Sequence, residues 1–381
     1  MKKPTIIIIV FIILLSYQTF GQTWGYNYRL TWNAGDSECP SIAVDSSDGI
    51  HVVWQDQTIC NYEIFYKQST DGGTNWSALN HLTWTLGSSN NPSIAADSSG
   101  GIHVVWEDSS WAGKKQICYK KSPDGGTTWS TLERLTWSIT DSKCPSIAAD
   151  SSDRIHLVWE DKVSEIFYKN STDSGTTWSA STRLAWNTGD SECPSIAVDS
   201  GDVIHVAWQD NTPGNWAIFY KSSTDSGTTW SALTRLTWSR FDSKYPSIAG
   251  DLSGGIHLVW QGSHEIYYKQ STDGGSSWSV LTRLTWNTAA SEYPDIVAGS
   301  VNTIHVVWQD WTWEFNTVPY PEICYKGSSD GGGTWSGLNR LTWTSGLSQN
   351  PSIAADSSGA IHLVWEDKNP GNFEIFYKIY K

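Results

Sequence analysis

Positive charge, methionine and long apolar runs are what this chain has little of. Its 381 residues hold one Met and eight Arg, and 25 Lys and Arg face 39 Asp and Glu for a formal net charge of −14. That balance argues against a nucleic-acid backbone or an anionic membrane surface as partner. The longest apolar run, Ile6 to Leu15, has ten residues, half of the roughly 20 needed to cross a bilayer as a helix. No helical apolar period of useful length appears. The spacings of zinc fingers, zinc proteases and calcium-binding hands are also missing.

The apolar run has another reading. Lys2-Lys3 precede it and Thr19-Phe20-Gly21 follow it, the layout of a signal peptide spanning residues 1–21 and cut before Gln22. Losing the two lysines takes the net charge from −14 to −16. The expected product is one secreted domain, residues 22–381, without a membrane span and monomeric.

Tryptophan is what the chain has in excess: 25 copies. Repetition explains them. The spacing Ser-x-Asp-x-Gly-x-x-Trp begins at Ser69, Ser122, Ser171, Ser223, Ser271 and Ser328. In each copy a short carboxylate can accept backbone N–H groups of its own turn, a glycine supplies positive φ, and the indole can close the turn. A second motif, Arg-Leu-Thr-Trp, starts at Arg29, Arg134, Arg235, Arg283 and Arg340, with variants at His81 and Arg183. Successive starts lie 52, 53, 49, 52, 48 and 57 residues apart, the period of a propeller blade.

Each repeat carries four extended segments, rich in Val, Ile, Tyr, Phe and Trp and bounded by Gly, Asp and Ser. In the first repeat these are Pro40 to Asp45, Ile50 to Asp56, Glu63 to Gln68 and Ala78 to Trp84. Seven first strands begin at Pro40, Pro92, Pro145, Pro194, Pro246, Pro294 and Pro351, but the chain stops after the third strand of the seventh repeat. Trp24 precedes Arg29 by five residues, as Trp76 precedes His81. The N-terminal segment is therefore predicted to supply the missing fourth strand of an all-β, seven-bladed propeller, closing the ring.

The turn motif resembles the Asp-box, or bacterial neuraminidase repeat, of the sialidase superfamily. The resemblance implies that Asp71, Asp124, Asp173, Asp225, Asp273 and Asp330 are structural and that chemistry, if any, lies on the opposite face. Enzymes of that family hold a substrate carboxylate with three arginines and use a tyrosine nucleophile, a glutamate and an acid/base aspartate. Their Arg-Ile-Pro-type motif is missing here. Six of the eight arginines belong to the Arg-Leu-Thr-Trp series and Arg154 falls in an Asp-box-face turn, leaving Arg240 alone on the loop face. Tyr245 and Tyr293 are the nearest candidates for a nucleophile, and no specific base is evident. The family's activity does not carry over.

Seven histidines recur in second strands, from His51 to His362. One per blade cannot converge on one ion within about 2.1 Å, so a repeated structural hydrogen bond is expected. Carboxylates ending second strands (Asp56 and equivalents) and beginning third strands (Glu63 and equivalents) are expected to cap hairpins and keep the surface soluble. Calcium is the cation they could hold; no metal site or cofactor is assigned. Cys39, Cys144 and Cys193 share one repeat position, filled by Tyr245 and Tyr293 elsewhere. Positions on separate repeats are expected to exceed the roughly 7 Å Cα limit for a disulfide, leaving Cys39 with Cys60 as the pairing to consider.

Individuality is confined to the loops between second and third strands, which carry Tyr62, Trp111, Trp216, Trp311, Trp313 and Phe373. Aromatic rings beside carboxylates and asparagines suit sugar or protein recognition; burial against the next blade is the competing account. The long loop from Asp310 to Glu322 beside the short Gln261-Gly262-Ser263-His264 suggests an off-centre groove. The expected function is a non-catalytic recognition propeller for glycan or an extracellular protein. A sialidase-like exo-glycosidase and a structural module of the cell envelope are the alternatives.

Overall fold

A computed structural model describes residues 23–161, 165–299, 302–312, 314–315 and 318–381. The expected signal peptide over 1–21 lies outside the described residues. Seven four-stranded antiparallel sheets are arranged in sequence order, each built as inner, second, third and outer strand. In blade 1 these are Ser37–Val44, Ile50–Ile59, Asn61–Ser69 and Asn80–His81. Blade 7 takes Ser348–Ala355, Ile361–Asp367 and Glu374–Tyr380 from the C-terminus and Tyr28–Arg29 from the N-terminus.

Ring closure follows the prediction. Tyr28 pairs with Tyr377 and Arg29 with Phe376; Trp24 bridges to Tyr380, and Thr23 N donates to Lys381 O at 2.7 Å. Two boundaries differ from the sequence reading. Inner strands begin three residues earlier, at Ser37 rather than Pro40, because a bulge between Glu38 and Ser41 interrupts the ladder without ending it. Outer strands pair over only two residues, since little lies beyond them to extend the ladder.

Second strands are buried on consecutive positions: Ile50, Val52, Val53 and Trp54 are fully buried, and His51 between them is buried as well. A strand packed between two neighbouring blades has no solvent face, so the alternation of an exposed sheet disappears. Each apolar cluster accordingly spans two blades, as where Val53, Ile64 and Tyr66 meet Ile94, Val104 and Trp106.

The Asp-boxes are the joints. Asp71 Oδ1 accepts Thr74 N (3.1 Å), Asn75 N (2.8 Å) and Ser69 Oγ (2.9 Å). Trp76 Nε1 donates to Gly73 O, and its ring meets Tyr377 of the preceding blade edge-on at 5.0 Å. The other five boxes repeat the edge-on ring contact, as with Trp129 on Tyr66 and Trp178 on Tyr119, while the indole N–H reaches the glycine carbonyl also at Trp129 and Trp230. Gly73 has φ +82°, and a Cβ there would overlap the Tyr377 ring. The six box aspartates are exposed, and hydrogen bonds from the turn hold Asp71 down at about 2.

The histidines make the repeated bond expected of them. In blade 2, His103 Nδ1 lies 2.7 Å from Tyr119 Oη and Nε2 3.0 Å from Asp97 Oδ2. Six blades share this triad. In blade 6, Gly299 replaces the aspartate and His305 keeps Tyr325.

Candidate ligand sites on the loop face

Hairpin direction puts the Asp-boxes and the turns after inner strands on one face, and the loops after second and outer strands on the other. Two features of that loop face concentrate chemistry: a ring of exposed tryptophans near its rim and a channel on its axis.

The rim tryptophans come from Arg-Leu-Thr-Trp. Leu30 and Thr31 are buried while Trp32 is 62% exposed; Trp84, Trp137, Trp186, Trp238, Trp286 and Trp343 are exposed at 66–75%. The arginine of the same motif lies over the ring, 4.3 Å away for Arg183 and Trp186 and 5.8 Å for Arg235 and Trp238. Four of these arginines pair with the glutamate opening the third strand, Arg29 with Glu374 at 2.7 Å and Arg283 with Glu265 among them; Arg134 meets Gln116 instead. They are spread around the rim and do not converge.

Between blades 4 and 5 this rim opens into a cavity of about 650 Å³, lined by Trp238, Phe241, Trp260, Tyr267, Leu281, Glu265, Lys269 and Arg283 among others. Its cause is local. Six blades end the second strand in a buried or half-buried aspartate; in blade 1, Asp56 binds Ser37 Oγ at 2.7 Å and Thr58 N at 2.9 Å, holding the following loop over the sheet. Blade 5 has Gly262 there and a two-residue hairpin, Ser263-His264. Tyr267 is half-buried at the wall, and the neighbouring Trp238 is 70% exposed. Burial keeps the Lys269 pKa below its ordinary value.

The axial channel, about 380 Å³, is lined by the start of every inner strand: Cys39, Asn91, Cys144, Cys193, Tyr245, Tyr293, Asn350 and the Pro-Ser or Pro-Asp that follows each. All seven mouth residues sit at φ +47° to +51°, the left-handed region forced by the bulge. The next proline fixes the chain direction after it.

The sequence pattern of the BNR repeat-like domain matches residues 52–258. The chain belongs to that family. No curated protein matches it. Solved structures similar to this BNR propeller share its fold at low identity. A protein of unknown function from Dyadobacter fermentans DSM 18053 is 13% identical, with 95% of this chain and 99% of that one covered and a TM-score of 0.60. A polysaccharide lyase of family PL25, an ulvan lyase bound to a GlcA–Rha3S repeat, is 12% identical over 92% and 95%, TM-score 0.62. The intramolecular trans-sialidase of Ruminococcus gnavus is 14% identical over 92% and 96%, TM-score 0.52.

The predicted site residues of this BNR propeller separate. Tyr245 and Tyr293 come together at the channel mouth, ring centroids 4.5 Å apart. Burial and the Tyr293 hydroxyl raise the Tyr245 pKa, the opposite of nucleophile activation. Arg240 is exposed and lies 5.0 Å from the Phe241 ring, away from the channel lining. Phe373 is buried under Lys368, and Trp111 packs against the blade 1–2 core below Arg134, so burial explains both. Tyr62 and Trp311 are half-buried and donate to Glu38 and Glu292 at 2.9 Å each. Trp216 lies under Lys244; Trp313 is outside the described residues. None of the five that are described lines the cavity, whose aromatic walls come from the outer-strand motif, the loop after it and blade 5 strands instead.

Two further expectations are corrected. Asp56, Asp108, Asp210, Asp310, Asp367, Glu63, Glu265, Glu322 and Glu374 are buried: they cap the loops, but from inside, and add nothing to surface solubility. All six cysteines are free thiols, Cys39 and Cys60 included. Equivalent cysteines are not far apart either, since Cys144 and Cys193 bring their sulfurs within 4.8 Å. The mouth position lies at the axis, where neighbouring blades converge.

Proposed function

We propose that this BNR propeller is a secreted, non-catalytic glycan-recognition protein whose principal site is the cleft between blades 4 and 5. The observation carrying the reading is the cavity itself: an exposed indole, Trp238, faces Tyr267 and Leu281, with the Arg283–Glu265 pair and Lys269 among them. Flat apolar surface takes the C–H face of a sugar ring, and a fixed charged pair selects hydroxyl or acidic groups. The scattered arginines and the deactivated Tyr245 argue against a sialidase mechanism. The leader at residues 1–21 supports export.

Glycan-array binding of residues 22–381, followed by titration calorimetry with any retained glycan, tests this. Selective binding lost in Trp238→Ala is expected. A blank array, or turnover of a sialoside abolished by Tyr293→Phe, would overturn the reading.

A further inference from the structure

Around the channel, in six of the seven blades, one second-strand side chain reaches across to the backbone N–H of the next blade's mouth residue; in blade 5 the Gln261 Oε1 is left without a partner among the described residues. Where that acceptor is a carboxylate, the mouth residue is cysteine: Glu107 takes Cys144 N at 2.8 Å, Glu160 takes Cys193 N at 3.1 Å and Glu366 takes Cys39 N at 2.7 Å. Where it is an amide, the residue is Asn or Tyr, as with Gln55 and Asn91, Gln209 and Tyr245, and Gln309 and Asn350. Three thiols thus come with three carboxylates, although a glutamine makes the same backbone bond elsewhere in the ring. The carboxylate has a use beyond holding the blades together.

The three glutamates are not equivalent. Glu107 and Glu366 also receive the amide of their own blade's mouth residue, Asn91 Nδ2 at 2.8 Å and Asn350 Nδ2 at 2.9 Å. Glu160 has Cys144 in that place, so it stands between two thiols. Among the described residues no side-chain amide or ion pair reaches it. Glu160 is half-buried, and a carboxylate drawn partly out of water gains from a cation where its donor set is incomplete.

We propose that Cys144, Glu160 and Cys193 form a site for a thiophilic divalent cation of the zinc class at the loop-face mouth of the channel. The two sulfurs and a Glu160 oxygen already lie within 4.8 Å of one another. Zinc bonds of about 2.3 Å to sulfur and 2.0–2.2 Å to oxygen need a contraction on the order of 1 Å, within reach of side-chain rotation. Two thiolates select zinc over calcium. Three protein ligands leave the fourth position facing the channel, where water or a small anionic group can bind. The cation compensates the half-buried carboxylate and two thiolates, and metal uptake releases the two thiol protons.

The test uses reduced, metal-free residues 22–381. After Zn²⁺ loading and dialysis, one zinc per chain by mass spectrometry is expected, and Co²⁺ should give thiolate charge-transfer absorption. Cys144→Asn, Cys193→Tyr and Glu160→Gln install residues that other blades carry at the same positions, so each should fold. Each should weaken Zn²⁺ binding by ~100-fold or more, beyond the usual cost of losing an outer partner, while Cys39→Asn should leave it unchanged. No retained zinc, equal retention in the three variants, or a Cys144–Cys193 disulfide found by peptide mapping of the purified protein would overturn the proposal.

Discussion

The hydroxyl of Tyr66 stands 2.7 Å from Nδ1 of His51. On its other side it meets the next blade, where Trp129 packs edge-on against its ring and Gly126 leaves no room for a Cβ. One phenol therefore ties a strand pair within blade 1 to the Asp-box of blade 2. The same relationship recurs from blade to blade.

Tyr119→Phe should cost about 1–2 kcal/mol, because His103 Nδ1 loses its partner in a buried site. Gly126→Ala should cost more, roughly 3 kcal/mol or above, since φ +87° and the Tyr66 hydroxyl both oppose a side chain. Guanidinium denaturation of the two variants beside the parent checks the order.

Closure by the N-terminal strand predicts that a chain starting at residue 33 is badly impaired. It loses the ladder on Glu374–Tyr380 and the fully buried Leu30. A loss of about 3–5 kcal/mol and concentration-dependent association through the bared edge are expected, seen by calorimetry and light scattering.

The contribution of Glu366 to stability should fall as pH rises from about 4.5 to 7. Burial pushes the Glu366 carboxyl up to about 7 from its ordinary 4.5. In that window the folded chain holds a proton that the unfolded chain has released, so deprotonation favours unfolding. The contribution is complete below 4.5 and gone above 7. Glu366→Gln should flatten this slope and gain roughly 2–3 kcal/mol above pH 7, measured by denaturation at several pH values.

Gly262→Asp restores what the other six blades carry. It should close the cleft between blades 4 and 5 and abolish glycan binding while the fold survives. The added Cβ meets Tyr267 at 3.1 Å, a contact that a small ring shift relieves. An unchanged circular dichroism spectrum with binding lost is the expected pair of results; binding retained would place the ligand elsewhere.

Much was legible from the chain alone because repetition is a property of sequence. Seven blades, the Asp-boxes, the histidine bonds and the borrowed outer strand all follow from counting equivalent positions and noticing which one lacks a partner. What counting cannot supply is radius. His51 and Cys39 both repeat once per blade, yet the histidines stay tied to partners within their own blades while Cys144 and Cys193 touch, because the mouth position lies on the axis and the second strand does not. Burial of Asp56 and Glu63 was hidden for a related reason: polar residues at strand ends read as surface until the loops they anchor are seen folded over them. The cleft depended on one absent side chain, at Gly262, and on a tryptophan whose exposure follows from its outer strand lying at the rim. Order along the chain determined the architecture; distance from the axis, which only the closed ring sets, decided which side chains could act together.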